Sequence, residues 1–178
     1  KAFLSTPEVL HMGMAVNPID RAIIVASEKS GVTKSLGTIK YLDTESFDYN
    51  KKASFNVVRF ESEVHLLVKG VFDEVVKMCS QDVDLKFMQN RVNDLSMRGF
   101  RVVTLAGRIL PNELTEYRWE EATSLDLYGL LVFSDAPKKD AKKALDRLEK
   151  LNIDLKLLTG DNEIVALKVC AEVGLKIK

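Results

Sequence analysis

The sequence predicts an α/β protein, in which an α+β domain with an antiparallel sheet is followed by a partial βαβα segment. Two Val- and Phe-rich runs, Ser54–Phe60 and Val64–Val68, are separated by only three residues, as in a β-hairpin. Other runs carry apolar residues at three- and four-residue spacing and predict amphipathic helices. After residue 126 the order becomes strand, helix, strand, helix, which is typical of a parallel, doubly wound sheet.

Composition excludes several classes of protein. The 178 residues include 26 Lys and Arg against 26 Asp and Glu, so the net charge of zero predicts no nucleic-acid partner. No apolar run approaches the ~18 residues that a membrane span needs. Cys79 and Cys170 lie far apart and are predicted to be free thiols in a reducing compartment. We therefore expect a soluble, cytosolic segment.

The first helix is predicted to begin at Asn17, because Asn caps helices well and Pro18 suits the first turn. The acidic side chain of Asp20 would also be stabilised by the positive end of the helix dipole. Gly31 is expected to end it. A strand is predicted around Leu36 to Leu42, and the polar stretch ESFDYNKK after it is predicted to be a loop.

Further elements follow the predicted hairpin. Helices are expected over Phe72–Cys79 and from about Asp84 to the stop at Gly99. Arg101–Ala106 predicts a short buried strand, and PNELTEYRWEEATS predicts a connecting loop.

The last part of the chain changes character. The apolar run Leu127–Phe133 predicts a strand, the charged stretch KKDAKKALDRLEKL a helix, and Ile153–Leu158 a second strand before a helix that ends at Gly174. We therefore predict one domain over residues 1–126 and part of a second over 127–178.

Polar residues follow both strands of this last part, namely Asp135, Thr159, Gly160 and Asp161. The carboxyl ends of parallel strands meet in one crevice, where hydroxyl and amide groups can bind phosphate and carboxylates can hold a divalent cation. Helix capping explains Asp161, and a turn explains Asp135, equally simply.

Three further positions have both a functional and a structural interpretation. Lys69-Gly70 ends a strand and could meet a phosphate, but it could also be an ordinary turn. Phe55 could stack on a base or lie in the core. Arg101 could bind an anion or only complement the end of the preceding helix.

The order of these segments resembles the P-type cation-transporting ATPases. LLVFSDAPKK and the stretch that contains LLTGDNEIVALKVCAEVGL resemble the phosphorylation domain of that family. NPIDRAI, ASFNVVRF, HLLVKGVFDEVVKMCS and LSMRGFRVVTLAGRIL resemble its nucleotide-binding domain. The GDNEIVALKVCAEVGL stretch is most similar to the magnesium-transporting subgroup.

The resemblance implies a role for each matching residue. Phe55 would stack on the adenine of ATP, Lys69 and Gly70 would line the nucleotide pocket, and Asp20 and Arg101 would lie near the nucleotide. Asp135, Thr159, Gly160 and Asp161 would meet the phosphoryl group and Mg2+ in a Rossmann-like, haloacid-dehalogenase-like fold. Only Arg59 represents the basic cluster that follows the stacking Phe in the family.

The resemblance also implies partners and limits. The parent would be an ATP-hydrolysing, ion-translocating pump of the plasma membrane, and this cytoplasmic segment would work with its actuator, membrane and remaining phosphorylation domains. DKTGT is not in the sequence, so the aspartate that the family phosphorylates is missing here. We expect the segment alone to bind ATP without catalysing its hydrolysis.

Two alternatives remain at this point. One is a fragment of a haloacid-dehalogenase-like phosphatase, and the other is a non-catalytic interaction module whose nucleotide pocket has decayed. The two-stranded tail is also expected to expose apolar surface and to favour self-association.

Overall fold

The fold was analysed in a computed structural model, which describes residues 1–6, 17–32, 38–80, 84–134, 140–158 and 163–175. The strands are β1 (Ile39–Asp48), β2 (Ala53–Phe60), β3 (Glu63–Gly70), β4 (Arg101–Leu110) and β5 (Asp126–Phe133). The helices are α1 (Pro18–Lys29), α2 (Phe72–Val75), α3 (Leu85–Met97), α4 (Ala141–Lys150) and α5 (Glu163–Val173). Short 3-10 helices cover Phe3–Ser5, Val76–Met78 and Trp119–Glu121.

The five strands form one sheet in the order β1-β2-β3-β4-β5, and the ladders β1–β2, β2–β3 and β3–β4 are antiparallel. The predicted α/β class and antiparallel sheet are confirmed. In the β2–β3 hairpin Phe55 pairs with Val68 and Ser54 with Lys69. Because side chains alternate between faces, Phe55 and Lys69 point to opposite sides of the sheet.

Each face of the sheet has its own apolar cluster. Phe55, Val57, Leu66 and Val68 lie in the larger cluster, with residues from α2 and the β4–β5 connection. Val58 and Leu67 lie in the smaller cluster on the other face, where Phe3 and Leu4 cover them. The sheet is therefore buried on both sides around β2 and β3.

Several local predictions are confirmed. The Oδ1 atom of Asn17 accepts a hydrogen bond from the N–H of Ile19 at 2.9 Å and caps α1. Gly31, Gly99 and Gly174 have φ values of 75°, 83° and 78° just after their helices, a conformation that glycine adopts without a Cβ clash. Cys79 and Cys170 are free thiols.

Two local predictions are wrong. Residues 45–48 belong to β1 instead of a loop, because their backbone pairs with β2 although the side chains are mostly exposed. Ile153–Leu158, predicted as a strand, has no strand hydrogen bonds, and Leu158 is 93% exposed. A strand needs a neighbouring strand, and none lies beside these residues in the part of the chain that the structure describes.

The described residues form two compact units. One contains Lys1–Leu85 and Val103–Leu131, and the other contains Lys86–Val102 and Val132–Lys178. In the second unit the side chain of Lys168 on α5 lies beside Gly99, where an added Cβ would stand 2.8 Å from its Cγ. The domain boundary between residues 126 and 127 stays a prediction. No described helix is long and apolar enough to cross a membrane.

We predict that Leu66→Ala lowers the free energy of unfolding by about 2–5 kcal/mol, since it opens a cavity in the larger cluster. Leu66 is fully buried, whereas Ile109 on the adjacent strand β4 is exposed. Ile109→Ala is therefore a control expected to cost about 0.5 kcal/mol or less. Urea unfolding measures both, and equal losses would contradict the assignment of Leu66 to the core.

Candidate functional site

A buried ion pair joins the end of β3 to the first turn of α1. The Nζ atom of Lys69 contacts the Oδ1 atom of Asp20, and both side chains are only 9% exposed. Lys69 Nζ also donates a hydrogen bond to the carbonyl oxygen of Ser5 at 3.0 Å. An isolated buried charge is costly, so each residue depends on the other to remain inside. The structure thus brings together two of the predicted site residues.

Gly70 allows the turn between β1 and β2 to lie against the end of β3. A Cβ atom at Gly70 would stand 2.6 Å from the carbonyl oxygen of Lys52 and 2.6 Å from the Cβ of Ala53. The N–H of Val71 donates to the same Lys52 carbonyl at 3.0 Å. Glycine at position 70 therefore allows the backbones to approach and sets the 49–52 turn beside Lys69.

The 49–52 turn carries an exposed aromatic ring, an exposed lysine (Lys52) and a half-buried one (Lys51). Asp48 Oδ1 accepts hydrogen bonds from the N–H groups of Asn50 at 2.7 Å and Lys51 at 3.0 Å. These two bonds hold the pKa of Asp48 below its ordinary value, with the Lys51 bond as the larger cause. Tyr49 is 86% exposed, and its ring meets the edge of Phe47 at a centroid distance of 5.4 Å.

Polar side chains continue from Lys69 along the same face of the sheet. Asn56, 2% exposed, donates from Nδ2 to the Ser5 carbonyl at 3.0 Å, while its Oδ1 atom has no hydrogen-bond partner among the described residues. The hydroxyl of Tyr41 donates to the carbonyl oxygen of Thr6 at 3.0 Å. Burial, with the negative charge of Asp20 adding to it, raises the pKa of Tyr41 to about 12, so the hydroxyl keeps its proton at neutral pH.

Phe55 lies on the other face, away from Lys69. It is 1% exposed and packs edge-on against Trp119 at a centroid distance of 5.0 Å. Lys51 Nζ lies 5.4 Å from the centroid of the same Trp119 ring. The stacking role stays a prediction for Phe55, and a base could reach its ring only after Trp119 moves.

The remaining predicted site residues lie elsewhere. Arg59 forms an ion pair with Glu113 and stands five residues along β2 from the partner of Lys69, about 17 Å at the usual rise per residue. Arg101 is the first residue of β4 and belongs to the second compact unit. Asp135, Thr159, Gly160 and Asp161 lie outside the described residues.

Sequence reasoning missed Tyr49, Lys51 and Lys52. The available signal was an aromatic residue followed within three positions by two lysines in DYNKK, the same order of aromatic and basic residues that the resemblance leads one to look for after Phe55. The whole stretch was interpreted only as a polar loop. Among the described residues, no three His, Cys, Asp or Glu side chains are placed to hold a metal ion.

Comparison with known proteins identifies relatives of this chain. No family model matches it. A magnesium-transporting ATPase, P-type 1, of Escherichia coli K12 is 32% identical over 171 residues, which cover 89% of this chain and 19% of that protein. A protein of the same name from Salmonella typhimurium LT2 is 34% identical over the same shares. The human polyamine-transporting ATPase 13A3 is 27% identical over 114 residues, 61% of this chain and 9% of that protein.

These matches confirm the resemblance inferred from the motifs: the chain is homologous to a segment of the P-type ATPases. Within that class, the matches to magnesium-transporting ATPases cover more of the chain than the match to the human polyamine-transporting ATPase. The chain spans about a fifth of the length of the magnesium-transporting relatives that it matches.

Breaking the buried ion pair should be costly. We predict that Lys69→Met or Asp20→Leu alone lowers the free energy of unfolding by about 3–5 kcal/mol, because the remaining charge stays buried without its partner. The double variant should lose less than the sum of the two, since both charges are then gone. Urea unfolding of all four proteins measures this coupling, and additive losses would show that the two charges do not interact.

The 49–52 turn should open in acid. Since the pKa of Asp48 is lowered on folding, its contribution to the turn is complete above the ordinary value of 3.8 and is lost as the pH falls through the lowered pKa. We predict that the amide shifts of Asn50 and Lys51 change as the Asp48 carboxylate is protonated when the pH is lowered. Asp48→Asn should remove the transition, and an unchanged titration in this variant would assign it to another group.

Proposed function

We propose that the chain is the cytoplasmic ATP-binding part of a P-type cation-transporting ATPase, with ATP held at the end of the sheet where Lys69-Gly70 meets the 49–52 turn. The observation that carries this proposal is the position of Gly70, whose close approach to the Lys52 backbone joins the turn that carries Tyr49, Lys51 and Lys52 to the strand that carries the buried Lys69. A nucleotide needs a surface for its base and positive charge for its phosphates.

Tyr49 offers the surface for the base. Its ring is 86% exposed, and the Asp48 carboxylate fixes the backbone that carries it. Stacking on an aromatic ring is worth about 1–3 kcal/mol per base. Tyr49 can stack on adenine without rearrangement of the core, whereas Phe55 cannot.

Lysine side chains offer the charge for the phosphates. Lys51 and Lys52 are carried by the same turn as Tyr49, and Asp20 already balances the charge of Lys69. Lys69 would therefore contribute N–H donors rather than uncompensated positive charge. The resemblance assigns Arg101 to the phosphates as well.

The transfer step is proposed for the parent protein. Asp135, Thr159, Gly160 and Asp161 would meet the γ-phosphoryl group and Mg2+, and the phosphate would pass to an aspartate that this sequence does not contain. Mg2+ bound there would neutralise charge that develops on the phosphates. What this chain supplies is positioning of the nucleotide. The relatives' names favour a cation as cargo, and the other domains of the pump are the expected partners.

A non-catalytic interaction module is the second candidate. The observation that favours it is the pairing of Lys69 with Asp20 and the Ser5 carbonyl, which leaves little of its charge for a ligand. This alternative predicts that ATP has no effect on the chain. The nucleotide titration below separates the two.

We predict that ATP shifts the amide resonances of Tyr49, Lys51, Lys52 and Gly70, and that Tyr49→Ala weakens binding by about 1–3 kcal/mol because the stacking surface is lost. Phe87→Ala, which removes an exposed aromatic ring from α3, is the control and should leave the dissociation constant unchanged. Unchanged amide shifts at millimolar ATP would favour the interaction module. Equal affinity of the Tyr49→Ala variant and the parent chain would remove Tyr49 from the site.

A further inference from the structure

A short segment of the chain covers the polar face beside the proposed nucleotide site. We call residues Lys1–Thr6 the strap. Phe3 and Leu4 of the strap pack on Val58 and Leu67 of the sheet, and Ser5 and Thr6 are fully buried. The strap is therefore seated by apolar contacts as well as by hydrogen bonds.

One carbonyl oxygen of the strap engages two donors of the sheet. The Ser5 carbonyl accepts from Lys69 Nζ at 3.0 Å and from Asn56 Nδ2 at 3.0 Å. A carbonyl oxygen has two lone pairs, so both are used here. With Asp20 as its other partner, Lys69 has two of its three donors engaged while the strap is in place.

The strap leaves one buried polar atom of this face without a hydrogen bond from the described residues. Asn56 is almost fully buried, yet its Oδ1 atom has no hydrogen-bond partner among the described residues. The Ser5 carbonyl can only accept, so it cannot pair with this atom. A buried acceptor without a donor is unfavourable, which gives an advantage to any ligand that brings both a donor and an acceptor. A nucleotide carries both, in its amino and hydroxyl groups and its phosphates.

We propose that the strap is an intramolecular competitor of the nucleotide: its Ser5 carbonyl occupies donors of Lys69 and Asn56 that would otherwise be open to ATP, and it leaves when ATP binds. This inference rests on the proposed ATP site. Its consequence is that the apparent dissociation constant equals the intrinsic one divided by the fraction of molecules in which the strap is released. Loosening the strap should therefore strengthen ATP binding.

Two variants loosen the strap without touching Lys69 or Asn56. Leu4→Asn removes an apolar contact with the sheet, and Tyr41→Phe removes the hydrogen bond to the Thr6 carbonyl. The Tyr41→Phe variant keeps its ring and should fold even if Leu4→Asn does not. Leu151→Asn, on an exposed leucine, makes the same chemical change as Leu4→Asn away from the strap and serves as its control.

The experiment is an ATP titration of the full chain and its three variants. The amide shifts of Phe3, Leu4 and Ser5 are monitored during each titration. We expect the dissociation constant to fall about two- to tenfold in Tyr41→Phe, as for the loss of one hydrogen bond, and at least as much in Leu4→Asn. Leu151→Asn should match the parent chain. In the parent chain the strap amides should move toward random-coil positions as ATP binds.

Two different failures can be told apart. If ATP binds the parent chain and the strap variants with equal affinity, and the strap amides do not move, the competition is refuted while the ATP site remains. If ATP binds none of the proteins, including those with a loosened strap, the proposed function itself fails and the competition fails with it.

Discussion

The buried ion pair between Lys69 and Asp20 is the interaction on which the surrounding structure depends. It joins the end of strand β3 to the first turn of α1, where the helix dipole also favours a carboxylate. Neither charge could remain inside alone, because the desolvation cost would not be recovered. The pair thereby couples α1 to the sheet, and the Ser5 carbonyl accepts a further hydrogen bond from Lys69.

The alternation of side chains along β2 and β3 separates two residues that the family resemblance assigns to one nucleotide pocket. Phe55 and Lys69 are close in the hairpin but point to opposite faces, one into the apolar core and the other into the polar cluster. A nucleotide cannot use both faces of a sheet at once. At the end of the sheet, Gly70 allows close approach of Lys52 and so joins the turn that carries the exposed Tyr49 ring to the strand that carries Lys69.

Local signals predicted local structure well. The Asn17 cap, the β2–β3 hairpin and the glycine stops depend on residues next to one another, so a short stretch of sequence contains the whole cause. The polar end of β1 and the apolar run Ile153–Leu158 were predicted wrongly for the opposite reason. Whether a stretch becomes a strand depends on a hydrogen-bonding neighbour, and such a neighbour is remote in sequence.

By itself the sequence determined the class of protein, the main helices and the central hairpin, because ordered motifs and short-range periodicity specify these. The Lys69-Gly70 position and Asp20 could also be selected from it. Only the tertiary structure decided that Asp20 meets Lys69, that Phe55 is buried, and that the turn with the exposed Tyr49 lies against Gly70 through its Lys52 carbonyl. The physical reason is that burial and ion pairing depend on which distant segments pack together, and residue types alone do not contain that information.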